Sequence, residues 1–294
     1  MLKKIPSIGT SKILLILDKI DSFFFKLSYH LIMRIITLTT DFQRNDYYIG
    51  ATKGAILSLC NNATIVDITH EVPLFDTVRA AYLVKNAYSN FPEGTIHIIG
   101  VMSEATLAAA HLVVKFDGHY FIGADTGLFS LIFGDEKPDE IIELNVSLDS
   151  NRLSFPTKDI FAKVACHIIN GVTISALGRK IDNVTRQIGY QPFIDQEVLR
   201  GMVVHIDSYG NAITNISDVI FNNFVKNDSF TIFYRTMSSG INRVSYTYSD
   251  VPEGEPLALF NSTNFLEIAL HKGKASGLLG IQLNSHIRVV INDH

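Results

Sequence analysis

From Arg34 onward the sequence alternates short β-rich runs with single helical stretches, and beyond residue 198 the helices nearly stop. The spacing predicts strands over 35–40, 64–68 and 95–101, separated by helices over 47–60 and 76–88. Strands separated by single helices are the mark of βαβ units on a parallel sheet. Asp117-Gly118, between β-rich runs over 111–116 and 119–123, predicts a two-residue hairpin, and a further helix is expected over 159–169, closing this half. Strands then follow at short spacing over 201–206, 212–216, 229–234, 244–248, 257–260, 265–269 and 287–291, with one helix near 218–225. The expected fold class is an α/β N-terminal domain with a mainly parallel sheet, followed by a smaller all-β, barrel- or sandwich-like C-terminal domain. The boundaries expected are 33–181 for the first domain, 182–198 for a linker and 199–294 for the second.

Composition narrows the class of function. A chain of 294 residues has room for two domains. Apolar residues make up 47% and charged ones 18%, enough to bury sizeable cores. The net charge of −4 is spread along the chain with no block of like sign, which argues against nucleic acid as a partner. Two cysteines, Cys60 and Cys166, leave no room for a disulfide framework or a thiolate-rich metal site. No His-x-His or His-x-x-x-His occurs, so no metal site is expected. In residues 1–32, Ile13, Leu17, Ile20, Phe24, Leu27 and Leu31 recur at amphipathic-helix spacing. The apolar run is too short for a signal-peptide core or a membrane span, and Met33 is an alternative start. A cytoplasmic protein with no membrane partner is expected.

In an open parallel sheet, ligands bind beyond the carboxyl ends of the strands. Thr39-Thr40-Asp41-Phe42 ends the first strand. Asp41 there could accept both hydroxyls of a ribose, pair with a cationic ligand, or cap the next helix. Neither a Gly-x-Gly-x-x-Gly nor a Walker lysine motif follows, so a phosphate cradle is not expected. After the second strand, Asp67, Thr69 and His70 precede Phe75, Asp76 and Arg79. His70 could act as a ligand or base or bond the backbone, and Asp76 is placed to cap the helix that follows, with Arg79 to pair with it. In the second domain, Asp207-Ser208-Tyr209-Gly210-Asn211 and Asn261-Ser262-Thr263-Asn264 read as Asx-type turns. Polar loops at one end of a β domain can also read a purine edge. Cys166 falls in an apolar helix, where a buried inert thiol is expected.

Taken in order, these segments resemble the S-adenosylmethionine (SAM) hydroxide adenosyltransferase family, which includes SAM hydrolases, chlorinases and fluorinases. The markers are Ile36-Thr37-Leu38-Thr39-Thr40-Asp41-Phe42, Lys53-Gly54, Val66-Asp67-Ile68-Thr69-His70 and Phe91-Pro92-Glu93-Gly94-Thr95. They continue with Asp125-Thr126-Gly127-Leu128, Asp207-Ser208-Tyr209-Gly210-Asn211, and Asn261-Ser262 with Leu266-Glu267-Ile268-Ala269. The resemblance implies a homotrimer that binds SAM, as substrate or ligand and with no separate cofactor, between the N-terminal domain of one subunit and the C-terminal domain of the next. It implies Asp41 for the ribose hydroxyls, Asp46 near the methionine carboxylate and Phe75 at the pocket wall. It further implies Asp207 for the methionine ammonium, Asn211 for the purine edge and Ser262 for the methionine carboxylate. The implied reaction is substitution at ribose C5′, with water giving adenosine and methionine.

The match fails at the group that orients water. Where the hydrolases carry Asp and Arg in Asp-Pro-Gly-Val-Gly-Thr-x-Arg, this chain has Met102 and Ala109. Where they carry His in Thr-Phe-His-Gly-Arg-Asp, it has Pro156. None of these three can give or take a proton. Gln43 for a glycine, Thr126 for an asparagine, and Leu270 and Asn264 near the purine end are smaller departures. Glu104, Thr157 and Lys158, with Ser103, are the candidates for a rebuilt nucleophile site; the alternatives are binding of SAM or adenosine without turnover, a changed ligand, or halide chemistry at Thr157.

Overall fold

The computed structural model describes residues 34–106, 109–145, 154–226, 228–235 and 240–292. The amphipathic stretch before Met33 lies outside them. The chain divides into two compact units, Met1–Gln187 and Ile188–His294.

The first unit is a seven-stranded sheet. Its strands are β1 (Ile35–Thr40), β2 (Thr64–Thr69), β3 (Ile96–Gly100), β4 (His111–Phe116), β5 (His119–Ala124), β6 (Glu140–Leu144) and β7 (Gly178–Ile181). The order is β2-β1-β3-β5-β4-β6-β7. Pairs β2-β1, β1-β3 and β3-β5 are parallel, and the rest antiparallel. The α/β class expected from the alternation is the one observed. Helices cover both faces, which is why β1 and β3 are buried almost throughout instead of alternating. On one face Ile36, Leu38, Ile96 and Ile98 pack with Ile56 of helix Tyr48–Leu59 and with Val164 and Ala165 of helix Ala162–Ile169. On the other, Ile99, Val114 and Phe121 pack with Ala80 and Val84 of helix Thr77–Ala87 and with Phe129 of helix Leu128–Phe133.

Local rules account for several boundaries. Asp76 accepts the Arg79 N–H at 2.9 Å and caps helix Thr77–Ala87. Asp117 and Gly118 both take positive φ, 48° and 75°, as the tight β4–β5 hairpin requires. Three buried polar groups, one each on β1, β3 and β5, form a chain. Thr37 Oγ1 meets His97 Nδ1 at 2.8 Å, and His97 Nε2 meets His119 Nδ1 at 3.3 Å. The His97 ring stacks on Phe121 at 4.9 Å, and burial first, then the neighbouring His119, lower its pKa to about 3. Cys60 and Cys166 join the two helices of the first face. Both are 3% exposed, and burial together with the Cys60 neighbour pushes the Cys166 thiol up to about 12.

The second unit is one nine-stranded sheet with a main core and a small cluster of Leu257, Leu259 and Ala269. Its strands are β8 (Phe193–Asp195), β9 (Val198–Ile206), β10 (Ala212–Ser217), β11 (Phe230–Phe233), β12 (Gly240–Ile241), β13 (Val244–Ser245), β14 (Pro256–Phe260), β15 (Phe265–Leu270) and β16 (His286–Ile291). They run in the order β12-β11-β16-β9-β10-β15-β14-β13, with β8 on β9. Strand β9 alternates, with Leu199, Gly201 and Val203 inside and Val198, Arg200 and Met202 outside. Phe221 and Val225 of helix Asp218–Val225 join Leu199, Ile268, Ile287 and Val289 in the core, giving the barrel-like all-β unit expected. β8 falls inside the segment read as a linker.

Candidate functional site

Asp41 follows the last residue of β1 and is 8% exposed. Its Oδ2 accepts the Phe75 N–H at 2.9 Å, so it ties the end of β1 to the loop after β2. It does not cap the next helix, whose N-cap Tyr47 carries no side-chain bond. Phe75 has φ 64° and a ring 69% exposed, turned to solvent instead of packed. Gln43 has φ 60°, the left-handed region that favours the glycine the resemblance implies at this position. Its side chain donates to the Val72 carbonyl at 3.0 Å. Asp46 is exposed and accepts the Tyr47 N–H at 2.6 Å. Phe42, Tyr48 and Phe155 form an aromatic wall, with centroids 5.0–5.5 Å apart.

Behind Asp41 runs a polar chain whose members the sequence named without linking. Thr40 Oγ1 meets His70 Nδ1 at 2.8 Å, and His70 Nε2 lies 3.1 Å from Asp67 Oδ1. Lys53 Nζ donates to Asp67 Oδ2 at 2.6 Å. Burial pushes the Asp67 carboxyl up, but Lys53 and His70 outweigh it and hold the group below the usual carboxylate range. His70 thus bonds side chains, not the backbone.

The candidates for the nucleophile site are dispersed. Thr157 is fully buried in a π-helical turn, Thr157–Phe161, and its hydroxyl donates to Ser103 Oγ at 3.2 Å. It makes no cap bond to the helix it precedes. A Cβ at Gly100 would stand 2.6 Å from Thr157 Oγ1, so the end of β3 must be glycine for this hydroxyl to sit there. His111 Nε2 donates to the Ser103 carbonyl at 2.8 Å. Burial lowers the His111 pKa, the Ser103 carbonyl opposing, so the ring is neutral at pH 7. Met102 has φ 48° and is half exposed, and Pro156 is buried. Glu104 is exposed on the same loop. Lys158 pairs with Asp159 at 2.7 Å and lies over the Phe155 ring. Ser103 and Thr157 are bonded to each other, whereas Glu104 is exposed and Lys158 is paired with Asp159.

In the second unit Asp207 and Asn211 form the expected turn. Asp207 Oδ1 accepts the N–H groups of Tyr209 and Asn211, and Oδ2 accepts Asn211 Nδ2 at 3.1 Å. Asn261 Oδ1 likewise accepts from the backbone of Thr263 and Phe265, leaving Ser262 exposed. Beside these turns is a cavity of about 630 Å³ lined by Tyr209, Asn211, Tyr248, Leu270, Lys272 and Lys274. Two of these lining residues, Tyr248 and Asn211, bond a buried acid to which the sequence alone assigns no role. Glu267 is 3% exposed, and burial pushes its carboxyl above the usual range despite bonds from Tyr248, Asn261 and Asn211. The Tyr248 hydroxyl donates to it at 2.8 Å and is itself pushed up by burial and by that bond. The signal was a lone acid in Phe265-Leu266-Glu267-Ile268-Ala269, a run buried on both faces.

Residues 36–178 match the family model for the SAM hydroxide adenosyltransferase N-terminal domain, and residues 201–288 match that for its C-terminal domain. The chain belongs to this family. A SAM hydroxide adenosyltransferase relative, the (R)-S-adenosyl-L-methionine hydrolase of Methanocaldococcus jannaschii, is 30% identical over 88% of this chain and 97% of its own. The hydrolase of the same name from Thermus thermophilus is 26% identical over 88% and 100%. A fluorinase from an Actinoplanes species is 23% identical over 62% of this chain and 71% of its own. A crystal structure of an uncharacterized conserved protein from Thermotoga maritima superposes with a TM-score of 0.79 at 28% identity, covering 87% of this chain and 99% of that one. Among the described residues of this adenosyltransferase-family chain no three His, Cys, Asp or Glu side chains gather as metal ligands, and no helix is long and apolar enough to cross a membrane.

Proposed function

We propose that this protein is an enzyme that binds S-adenosyl-L-methionine and cleaves it with water at ribose C5′ to adenosine and L-methionine. Family membership and the hydrolases among its relatives support the reaction class. The observation that carries the reading is Asp41, a nearly buried carboxylate fixed by the Phe75 N–H at the carboxyl end of β1, with oxygen lone pairs left for a vicinal diol. Asp41 takes the ribose hydroxyls, with Asp46 and Phe75 beside it. Asp207 takes the methionine ammonium, Ser262 the methionine carboxylate and Asn211 the purine edge. Two copies of the chain complete the site, within a cytoplasmic homotrimer.

The sulfonium is already a good leaving group. As the water oxygen bonds to C5′, the C5′–S bond breaks and its electron pair stays on sulfur, which departs as a neutral thioether. The attacking water loses its proton to solvent or to Glu104. What the protein supplies is alignment and partial desolvation. Thr157, sealed from solvent, donates to the Ser103 hydroxyl at 3.2 Å and so fixes the group that orients water, and Phe42, Tyr48 and Phe155 exclude bulk solvent. Lys158, held by Asp159, adds positive charge nearby. Losing an oriented proton-transfer group costs about 10²-fold or more, so this arrangement turns over slowly beside one with an Asp-Arg-His set.

The substitutions Met102, Ala109 and Pro156 favour a second reading, binding without turnover. Incubation with SAM, with chloride or a non-halide salt, followed by chromatography for adenosine, 5′-halo-adenosine and methionine, separates the two. Adenosine above an Asp41→Ala control supports hydrolysis. Saturable calorimetric binding with no product supports the silent binder. Unchanged SAM affinity in Asp41→Ala sinks the site assignment.

A further inference from the structure

A second cavity of about 630 Å³ lies on the outer face of the β unit, and it shares no lining residue with the one beside Asn211. Its charges are arranged in a way that packing does not explain. The register sets Phe193 of β8 opposite Arg200 of β9, Arg200 opposite Arg288 of β16, and Arg288 opposite Phe233 of β11. A row Phe-Arg-Arg-Phe therefore crosses four strands on one face, while Leu199, Ile287 and Val289 fill the core on the other. Like charges directly opposite in an antiparallel pair destabilise it.

Little in the chain offsets that repulsion. Asp195 stands 3.6 Å from Arg200. Arg288 donates to the Arg235 carbonyl at 3.3 Å and lies 5.9 Å from the centre of the Phe233 ring. Among the described residues no carboxylate comes within ion-pair distance of Arg288 or Arg235. Three guanidiniums thus share one cavity with one carboxylate, and His286 stands at its rim. The cavity has a fixed roof. Asn215 accepts the Met202 N–H and donates to the Tyr190 carbonyl, both at 2.8 Å, pinning the segment that carries Tyr190 and Phe193 over β9. Those two rings are 73% and 59% exposed.

We propose that this face binds a small organic phosphate, its phosphate held by Arg200, Arg235 and Arg288 and its planar ring laid against Tyr190 and Phe193. Guanidinium forks match phosphate oxygens two at a time, and a dianion converts the Arg200–Arg288 repulsion into attraction. The volume is that of a small-molecule site. The proposal is independent of the SAM reading, because Asp41, Asp207 and Asn211 take no part in it.

Calorimetry on the full chain tests it, with phenyl phosphate, inorganic phosphate and phenol as probes. Phenyl phosphate should bind saturably and more tightly than inorganic phosphate, and phenol should not bind. R200Q/R288Q should weaken phenyl phosphate by about tenfold or more. Asp41→Ala should leave that affinity unchanged. The double variant, freed of the opposed charges, should melt no lower than wild type without ligand. If it does not fold, R235Q, at an exposed side chain, should still weaken phenyl phosphate severalfold. Equal affinity in wild type and arginine variants, or no saturation in wild type, overturns the site. Equal affinity for inorganic and phenyl phosphate overturns the ring contact.

Discussion

His97 should make the first unit acid-sensitive by an amount that follows from its burial. Its pKa falls from an ordinary 6.5 to about 3. The folded chain therefore resists a proton that the unfolded chain accepts, so stability is full above pH 6.5 and declines as pH falls toward 3. The slope is about 1.4 kcal/mol per pH unit, so between pH 7.5 and 5 the loss from this one ring is about 2 kcal/mol. The perturbation is Thr37→Val with His97→Phe, which removes both partners of a buried hydrogen bond and keeps a ring against Phe121. His119 stays in both proteins. Burial lowers its pKa, opposed by Asp117 and Glu93. Urea unfolding followed by tyrosine fluorescence is the assay. With a denaturant slope of about 2 kcal/mol per M, the wild-type midpoint should drop about 1 M further than that of the variant between pH 7.5 and 5. Equal drops in the two proteins refute the idea that His97 is held neutral by its surroundings.

Thr157→Val keeps the shape and removes the hydroxyl. Adenosine formation should fall about tenfold or more while calorimetric SAM affinity stays nearly unchanged, and stability should drop by about 1 kcal/mol. Glu104→Gln should lower kcat by about 10²-fold at unchanged SAM affinity; an unaffected rate in the chromatographic assay rejects Glu104 as the proton acceptor. Gly100→Ala drives a Cβ into the buried Thr157 side chain, with 2.6 Å to Oγ1, and should cost about 1–3 kcal/mol by thermal or urea melting.

What was legible in the sequence is what neighbours in the chain decide. The β4–β5 hairpin follows from Asp117-Gly118, and the start of helix Thr77–Ala87 from the Asp76 carboxylate three residues before the N–H it accepts. Helix Leu128–Phe133 and strand β6 leave no such mark in the sequence. Leu128-Phe129-Ser130-Leu131-Ile132-Phe133 is apolar nearly all round, so it has no period to detect, and Glu140–Leu144 is too short to show one. The π-helical turn at Thr157–Phe161 follows no simple residue preference, and the helix expected over 159–169 begins inside it. Of the site, Asp207 and Asn211 were readable as a turn because their bonds are local. The Asp41–Phe75 bond spans 34 residues and the Thr157–Ser103 bond 54, distances over which pattern carries no information and only the family resemblance singles the residues out.

The thiol pair between helix Tyr48–Leu59 and helix Ala162–Ile169 gives the first unit a built-in clock. Cys60 and Cys166 are the chain's two cysteines, and both thiols are shut away at the same helix seam. A maleimide or disulfide reagent reacts with thiolate, and the protonated Cys166 in its closed setting offers almost none. Labelling of native protein is therefore timed by the parting of those two helices, and slower labelling with SAM present would measure how much of the ligand's binding energy reaches the seam.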